Sequence, residues 1–568
     1  MLRCFVVSFL IVFFMTGGAV HSADADPAST PNGTSRPAQH AGGTLKLTAQ
    51  SAPGSADPQV NYLAPMLQVE AVVYDGLMTF AKAPGPLRRH AVPDLADGQP
   101  EQLDDGRTWR FHLRKNIYFS TGQLLTTDDV VASMRRIFKV NSPTAGPYFS
   151  HIIGGSLCLH QPKHCTLDGG VVADKETGTI VFHLTHSDPE FPDRLAFGHA
   201  VILPENTSVN DTGNNAPPGT GPYRITSYNP NSEMRLERNT WFRQWDALAQ
   251  PAGYPDHIIY RFGFEPESEV TAIENGQFDW MAENVPLDRL SELGQHFTSR
   301  VRLVDFLNLY YAALNVNTPP FDNLKARQAF NYAVSRRAMV IHNGGPAVAI
   351  PACQMIPQGA PGFEPACMWT KGASPSDPAP EWEKPDMEQA RKLITESGTA
   401  GQKVIIVSPQ TPGYLAMANE LRSTLARLGY IASVRSMVQA VQFPYVQNSD
   451  NRVQVALTGW NADYPAASSY LETLLSCKTF HPHSDNSLNM SGYCDQGADL
   501  LMAQARAVAV KDQEAGDHLW AAADRELMAG APTVPLAQVR WVTLLSSRVQ
   551  GEVTAPIYQI IFSRFQIQ

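Results

Sequence analysis

Between residues 403 and 460 the signals for strand and helix alternate, and this order narrows the possible folds more than any other feature of the chain. Residues 404–407 are an apolar run of strand length. A helix follows from Tyr414, with Leu421, Leu425 and Leu428 along one stripe and Gly429 at its end. Residues 431–434 and 453–458 supply two more strands. Strand, helix, strand, helix, strand predicts an α/β lobe with some parallel pairing, because parallel neighbours need a crossover between them. In such sheets ligands bind beyond the carboxyl ends of the strands. Gly459-Trp460-Asn461-Ala462-Asp463-Tyr464 follows the last strand directly. It brings together an aromatic ring, a carboxylate and loop backbone.

The rest of the chain has to be built around that lobe. At 568 residues it is too long for one core, and a prior of about 150 residues per domain gives three or four domains. With 43% hydrophobic and 17% charged residues it is neither disordered nor fibrous. A net charge of −10 without a basic stripe argues against a nucleic-acid partner. Thr126-Thr127-Asp128-Asp129 reads as a helix start, with Val130, Met134, Ile137 and Phe138 on one face. Asp322 is the expected cap of a helix running toward Arg337, and Asp386 the cap of another that Gly398 ends. Residues 371–385 read as an irregular connection, and there is no fixed-period repeat.

Residues 1–22 read as a signal peptide: Arg3, an apolar run over 5–15, a break at Gly17-Gly18 and a cut after Ser22. The run is shorter than the ~20 residues a bilayer span needs. Residues 23–42, rich in Pro, Ser, Gly and Asp, read as a flexible tether. Removing the leader takes Cys4 and leaves Cys158, Cys165, Cys353, Cys367, Cys477 and Cys494. An even count after export suggests disulfides in an oxidising compartment. Six cysteines allow 15 connectivities, of which the short loops favour nearest-neighbour pairing without deciding it. There is no Cys-x-x-Cys, so a zinc cluster is disfavoured.

The chain carries no nucleophile elbow, no His-Glu-x-x-His and no phosphate loop. Gly219-Thr220-Gly221-Pro222 lacks the third glycine of a dinucleotide fingerprint. Asp211-Thr212-Gly213 matches an aspartic-protease tripeptide but has no second copy and sits among turn-forming asparagines. His183 with His186, and His481 with His483, are spaced as metal pairs, yet 16 histidines make chance neighbours common. The expectation is a binding protein rather than an enzyme, with no catalytic residue, metal or cofactor.

Several segments resemble, in order, the extracytoplasmic solute-binding proteins of ABC importers, in the peptide/nickel-binding family. They are Tyr74-Asp75-Gly76-Leu77, residues 105–137, residues 219–225 (GTGPYRI), residues 236–242, residues 314–334, and Trp460 with Asp463 as the family's Trp-x-x-Asp. The likeness covers about residues 43–545. It departs at Asn116, where glycine is usual, at Ser120-Thr121 and Leu125, and at Ala466-Ala467, where a second acid is frequent.

The resemblance implies a two-lobed periplasmic-binding-protein fold of α/β class with a ligand cleft between the lobes. Lobe I would be residues 43–87, 201–308 and 528–568, with a subdomain of 88–200 inserted, and lobe II residues 309–527. It also implies an extended peptide as ligand. Asp463 would face its α-ammonium, Gly459 and Asn461 would offer backbone from lobe II, Tyr62 and Ala64 would do so from lobe I, and Trp460 would cover an apolar side chain. The expected molecule is a periplasmic monomer that delivers its cargo to an inner-membrane ABC permease. Within the family the cargo could instead be a metal chelate, haem, sugar or opine. From other classes, a secreted hydrolase, or a sensor or chaperone, stays open.

Overall fold

A computed structural model describes residues 41–83, 91–304, 307–485, 487–555 and 558–568. The expected signal peptide and nearly all of the tether lie outside these residues. Two large sheets organise the rest. The first has five strands in the order Trp280–Met281, Thr44–Ala49, His257–Phe262, Glu233–Arg238, Tyr223–Asn229. Its first three strands are parallel and its last two antiparallel. Along Thr44–Ala49, Leu45, Leu47 and Ala49 are buried, and they pack into a core with Val72, Tyr260 and Phe562.

The second sheet has six strands in the order Ala349–Pro351, Thr533–Val539, Asn308–Leu314, Val455–Asn461, Lys403–Pro409, Ile431–Met437. Its last three strands are parallel, joined by the helices Pro412–Arg427 and Gln439–Gln447, which is the alternation expected over 403–460. Leu421 and Leu425 are fully buried beneath it. Asp386 caps Met387–Ser397 by accepting from the Gln389 amide, and Gly398 ends it with φ at +66°. The helix expected from Asp322 differs. Asn323 is the cap, and the helix stops at Ala333 and restarts as Arg336–His342 behind a Ser335 cap. Two local caps cut one apolar stripe into two helices. The sequence reading returns the chain to lobe I at residue 528, ahead of the strand Thr533–Val539. Thr533–Val539 pairs with Asn308–Leu314 and so belongs to the six-stranded sheet, because its buried residues complete that core.

The chain passes between the sheets twice, at Val301–Val304 and Trp541–Leu544, and these segments pair antiparallel. A third, four-stranded sheet (Glu101–Leu103, Thr108–His112, Thr179–His183, Val171–Asp174) carries the helix Thr127–Lys139. Thr126 and Asp129 form a capping box on that helix, and Val130, Met134, Ile137 and Phe138 are buried. Asn116 has φ at +60°, a left-handed turn that glycine fills most easily and asparagine tolerates. A Cβ on Gly219 would lie 2.0 Å from the Val73 carbonyl, so this motif serves close packing on the helix Ala64–Val73. Asp211-Thr212-Gly213 is a turn: Asp211 accepts from Ser55 Oγ at 2.6 Å and from the Gly213 amide at 2.8 Å. The cysteines pair as nearest neighbours, Cys158–Cys165, Cys353–Cys367 and Cys477–Cys494.

Candidate functional site

The strand Val455–Asn461 ends two residues before Asp463, which meets the helix Ala145–Phe149, and its backbone parity decides what it can offer. The Ala462 amide donates to the Leu307 carbonyl at 2.7 Å. In an antiparallel ladder every second residue faces the partner strand. Trp460 and Thr458 therefore face Asn308–Leu314, while Gly459 and Asn461 turn their N–H and C=O to the opposite side. Leu457, of the same parity, does so visibly: its carbonyl accepts from Gln442 Nε2 at 3.2 Å. On that side Lys403–Pro409 pairs with the strand at Val455 and Ala456, short of Gly459. A Cβ on Gly459 would lie 2.6 Å from the Tyr310 ring and 2.8 Å from the Tyr414 hydroxyl, so only glycine fits under this aromatic pair.

Asp463 follows two residues beyond the strand and is 5% exposed. Its amide donates to Ser469 Oγ at 3.0 Å, which fixes the loop. Its carboxylate accepts from the Tyr148 hydroxyl, and the Tyr62 hydroxyl also faces it, 3.4 Å from that of Tyr148. Burial pushes the carboxyl up to about 7, against the pull of the two hydroxyls. Among the described residues no Lys, Arg or His forms an ion pair with it. The result is a buried acid with two neutral donors and no counter-charge.

The other expected site residues lie in different settings. Trp460 is 7% exposed, its ring sits in the core of the six-stranded sheet, and its indole N–H donates to the Ser469 carbonyl at 2.9 Å. Asn461 is exposed. Tyr62 packs against Phe197 and His199, with centroids at 5.4 and 5.1 Å. Ala64 is the first residue of Ala64–Val73, so it offers a helix-terminal amide rather than a strand edge. Among the described residues no group of His, Cys, Asp and Glu is arranged to hold a metal ion. His483 contacts Asp450 at 2.6 Å, and His183 contacts Thr108 at 3.2 Å.

Sequence reasoning missed Tyr148. It lies on the short helix Ala145–Phe149, 315 residues from Asp463, and no periodicity marks it.

The profile of the bacterial extracellular solute-binding proteins, family 5, matches residues 90–481. The chain belongs to this family. A dipeptide-binding protein of Pseudomonas aeruginosa is 25% identical over 555 residues, covering 93% of this chain and 95% of that one. The periplasmic oligopeptide-binding protein of Salmonella typhimurium is 27% identical over 512 residues, covering 85% and 84%. Among solved structures, an ABC transporter-associated periplasmic binding protein of Helicobacter pylori in complex with the peptide STSA superposes with a TM-score of 0.77. It is 21% identical, over 93% of this chain and 98% of that one. Across the family-5 architecture the shared fold is two-lobed and α/β, as the sheets described above require. Among the described residues no helix is long and apolar enough to cross a membrane.

Proposed function

We propose that this chain is the substrate-binding subunit of an ABC importer and binds an extended peptide between its two lobes. The observation that supports this best is Asp463, a buried carboxylate with hydroxyl donors and, among the described residues, no ion-pair partner. A peptide α-ammonium is a three-donor cation of matching charge, and seating it there compensates the desolvation of both groups. Gly459 and Asn461 pair with the peptide main chain in the manner of an added strand, which gives affinity without reading side chains. Tyr62 and Ala64 line the opposite wall, and Tyr310 and Tyr414 flank the path of the peptide. The relatives' own names, dipeptide- and oligopeptide-binding, favour the same ligand class.

Lobe I comprises residues 43–87, 201–308 and the segment after residue 540. Residues 88–200 are inserted in it, and lobe II spans 309–540. The paired crossings Val301–Val304 and Trp541–Leu544 serve as the hinge. After export through a cleaved leader, the closed form docks on an inner-membrane permease, and other subunits hydrolyse the ATP. The chain itself is a carrier and returns its ligand unchanged. Mass spectrometry of ligand released from denatured native protein tests the reading. Short peptides with free amino termini are expected. A chelate, haem, sugar or opine in their place would overturn the peptide assignment.

A further inference from the structure

Tyr148 and Tyr464 also lie against a second cluster of charges. The Arg194 guanidinium is 5.7 Å from the centroid of the Tyr148 ring and 5.2 Å from that of Tyr464. On its own segment Arg194 bonds Asp188 at 2.9 Å and Glu190 at 3.4 Å. Across the gap it reaches Glu472 at 3.6 Å, on the helix Ser468–Leu475. Ser468, one turn earlier on the same face, donates to Glu190. Glu472 is paired in turn with Arg506 of the helix Gln496–Ala509. The side chains of Asp188, Arg194 and Arg506 are 1%, 6% and 10% exposed.

We propose that this cluster is a closure clasp: contacts of Arg194 and Glu190 with Glu472 and Ser468, braced by Arg506, set how much of the molecule is closed. The charge arrangement suits a clasp that releases. Opened, Arg194 keeps Asp188 and Glu190, and Glu472 keeps Arg506, so no ion is left buried alone. The cost of opening is the cross contacts themselves. Asp188, Arg194, Glu472 and Arg506 line a cavity of about 440 Å³ together with His151 and His186, which leaves room for the groups to separate. The equilibrium is therefore poised, and a ligand shifts it by its preference for the closed state.

The inference rests on the carrier reading, and the test separates the two. The mature chain and its Glu472→Gln, Arg506→Gln and Arg506→Lys variants are compared by small-angle X-ray scattering with and without trialanine. Release of trialanine and of N-acetyl-trialanine is timed by stopped flow. Glu472→Gln is isosteric at a side chain 23% exposed, so it is the variant most certain to fold. Glu472→Gln and Arg506→Gln are expected to shift unliganded scattering toward the open form. Both are expected to speed release of the two ligands alike by about tenfold. The double variant should add at most about twofold more, because both changes break one network. Arg506→Lys should recover part of the loss. Scattering and release equal to those of the unaltered chain would overturn the clasp while leaving the carrier reading intact. Trialanine that neither binds the unaltered chain nor compacts it would instead count against the carrier reading, and the clasp would fall with it.

Discussion

At Asp463 a carboxyl is held where water cannot solvate its charge, and two phenols compensate only part of the loss. Burial raises it to about 7, so in the unliganded protein it binds a proton below that pH. An ammonium beside it favours the charged form and lowers the value. Ligand binding below pH 7 must then expel the proton. Affinity for a free-amine peptide should rise with pH, by about tenfold per unit at the limit, to a maximum between about 7 and 8, and fall above it as the peptide's α-ammonium loses its own proton. Titration calorimetry in buffers of different ionisation enthalpy should register close to one proton released at pH 6 and a net uptake at pH 8, where about half of the free peptide amine must regain its proton to bind. A pH-independent affinity between 5.5 and 8 would contradict this. Asp463 drew notice in the sequence because it follows a strand of the α/β lobe and completes a Trp-x-x-Asp like the family's; its burial beside two phenols did not show there. Tyr148 was not legible, because only the tertiary fold brings it there, from 315 residues away.

Single secondary-structure elements were legible wherever local chemistry decides them. Thr126 with Asp129, and Asp386 with Gly398, carry their own start and stop signals. The resemblance made Trp460 a cover for a ligand side chain, but alternation along a strand does not tell which face is covered; the ring lies in the core. Two tests belong at this scale. The Cys477–Cys494 bond closes a span of 17 residues, and chain entropy puts its worth at about 3 kcal/mol. Replacing both cysteines with alanine should lower the urea midpoint accordingly, and an unchanged midpoint would refute the estimate. Gly219→Ala would set a methyl group 2.0 Å from the Val73 carbonyl, a backbone atom with little room to yield. A loss of about 2 kcal/mol or more is expected from overpacking of this kind, read from the same urea titration. A variant as stable as the parent would show that the helix Ala64–Val73 can shift.

For the molecule as a whole, the order of the family-like segments made the two-lobed plan legible, but the late course of the chain was not. Thr533–Val539 completes the six-stranded sheet because its partner, Asn308–Leu314, lies more than 200 residues earlier, and no local pattern reports that pairing. The crossings pair with each other for the same reason. Both facts bear on the proposed hinge, which would be a ribbon of two antiparallel strands. A ligand that bridges the lobes should also stabilise the whole chain, by about 2.7 kcal/mol at a hundredfold excess over its Kd. The account stands or falls on whether Asp463 grips an amino terminus. Calorimetric titration of trialanine and N-acetyl-trialanine into the mature chain and its Asp463→Asn variant tests it most directly. The parent should bind the free amine at least about thirtyfold more tightly than the acetylated peptide, and Asp463→Asn should erase that difference by weakening the free amine alone. Equal weakening of both peptides by the substitution, or no preference in the parent, would contradict the account.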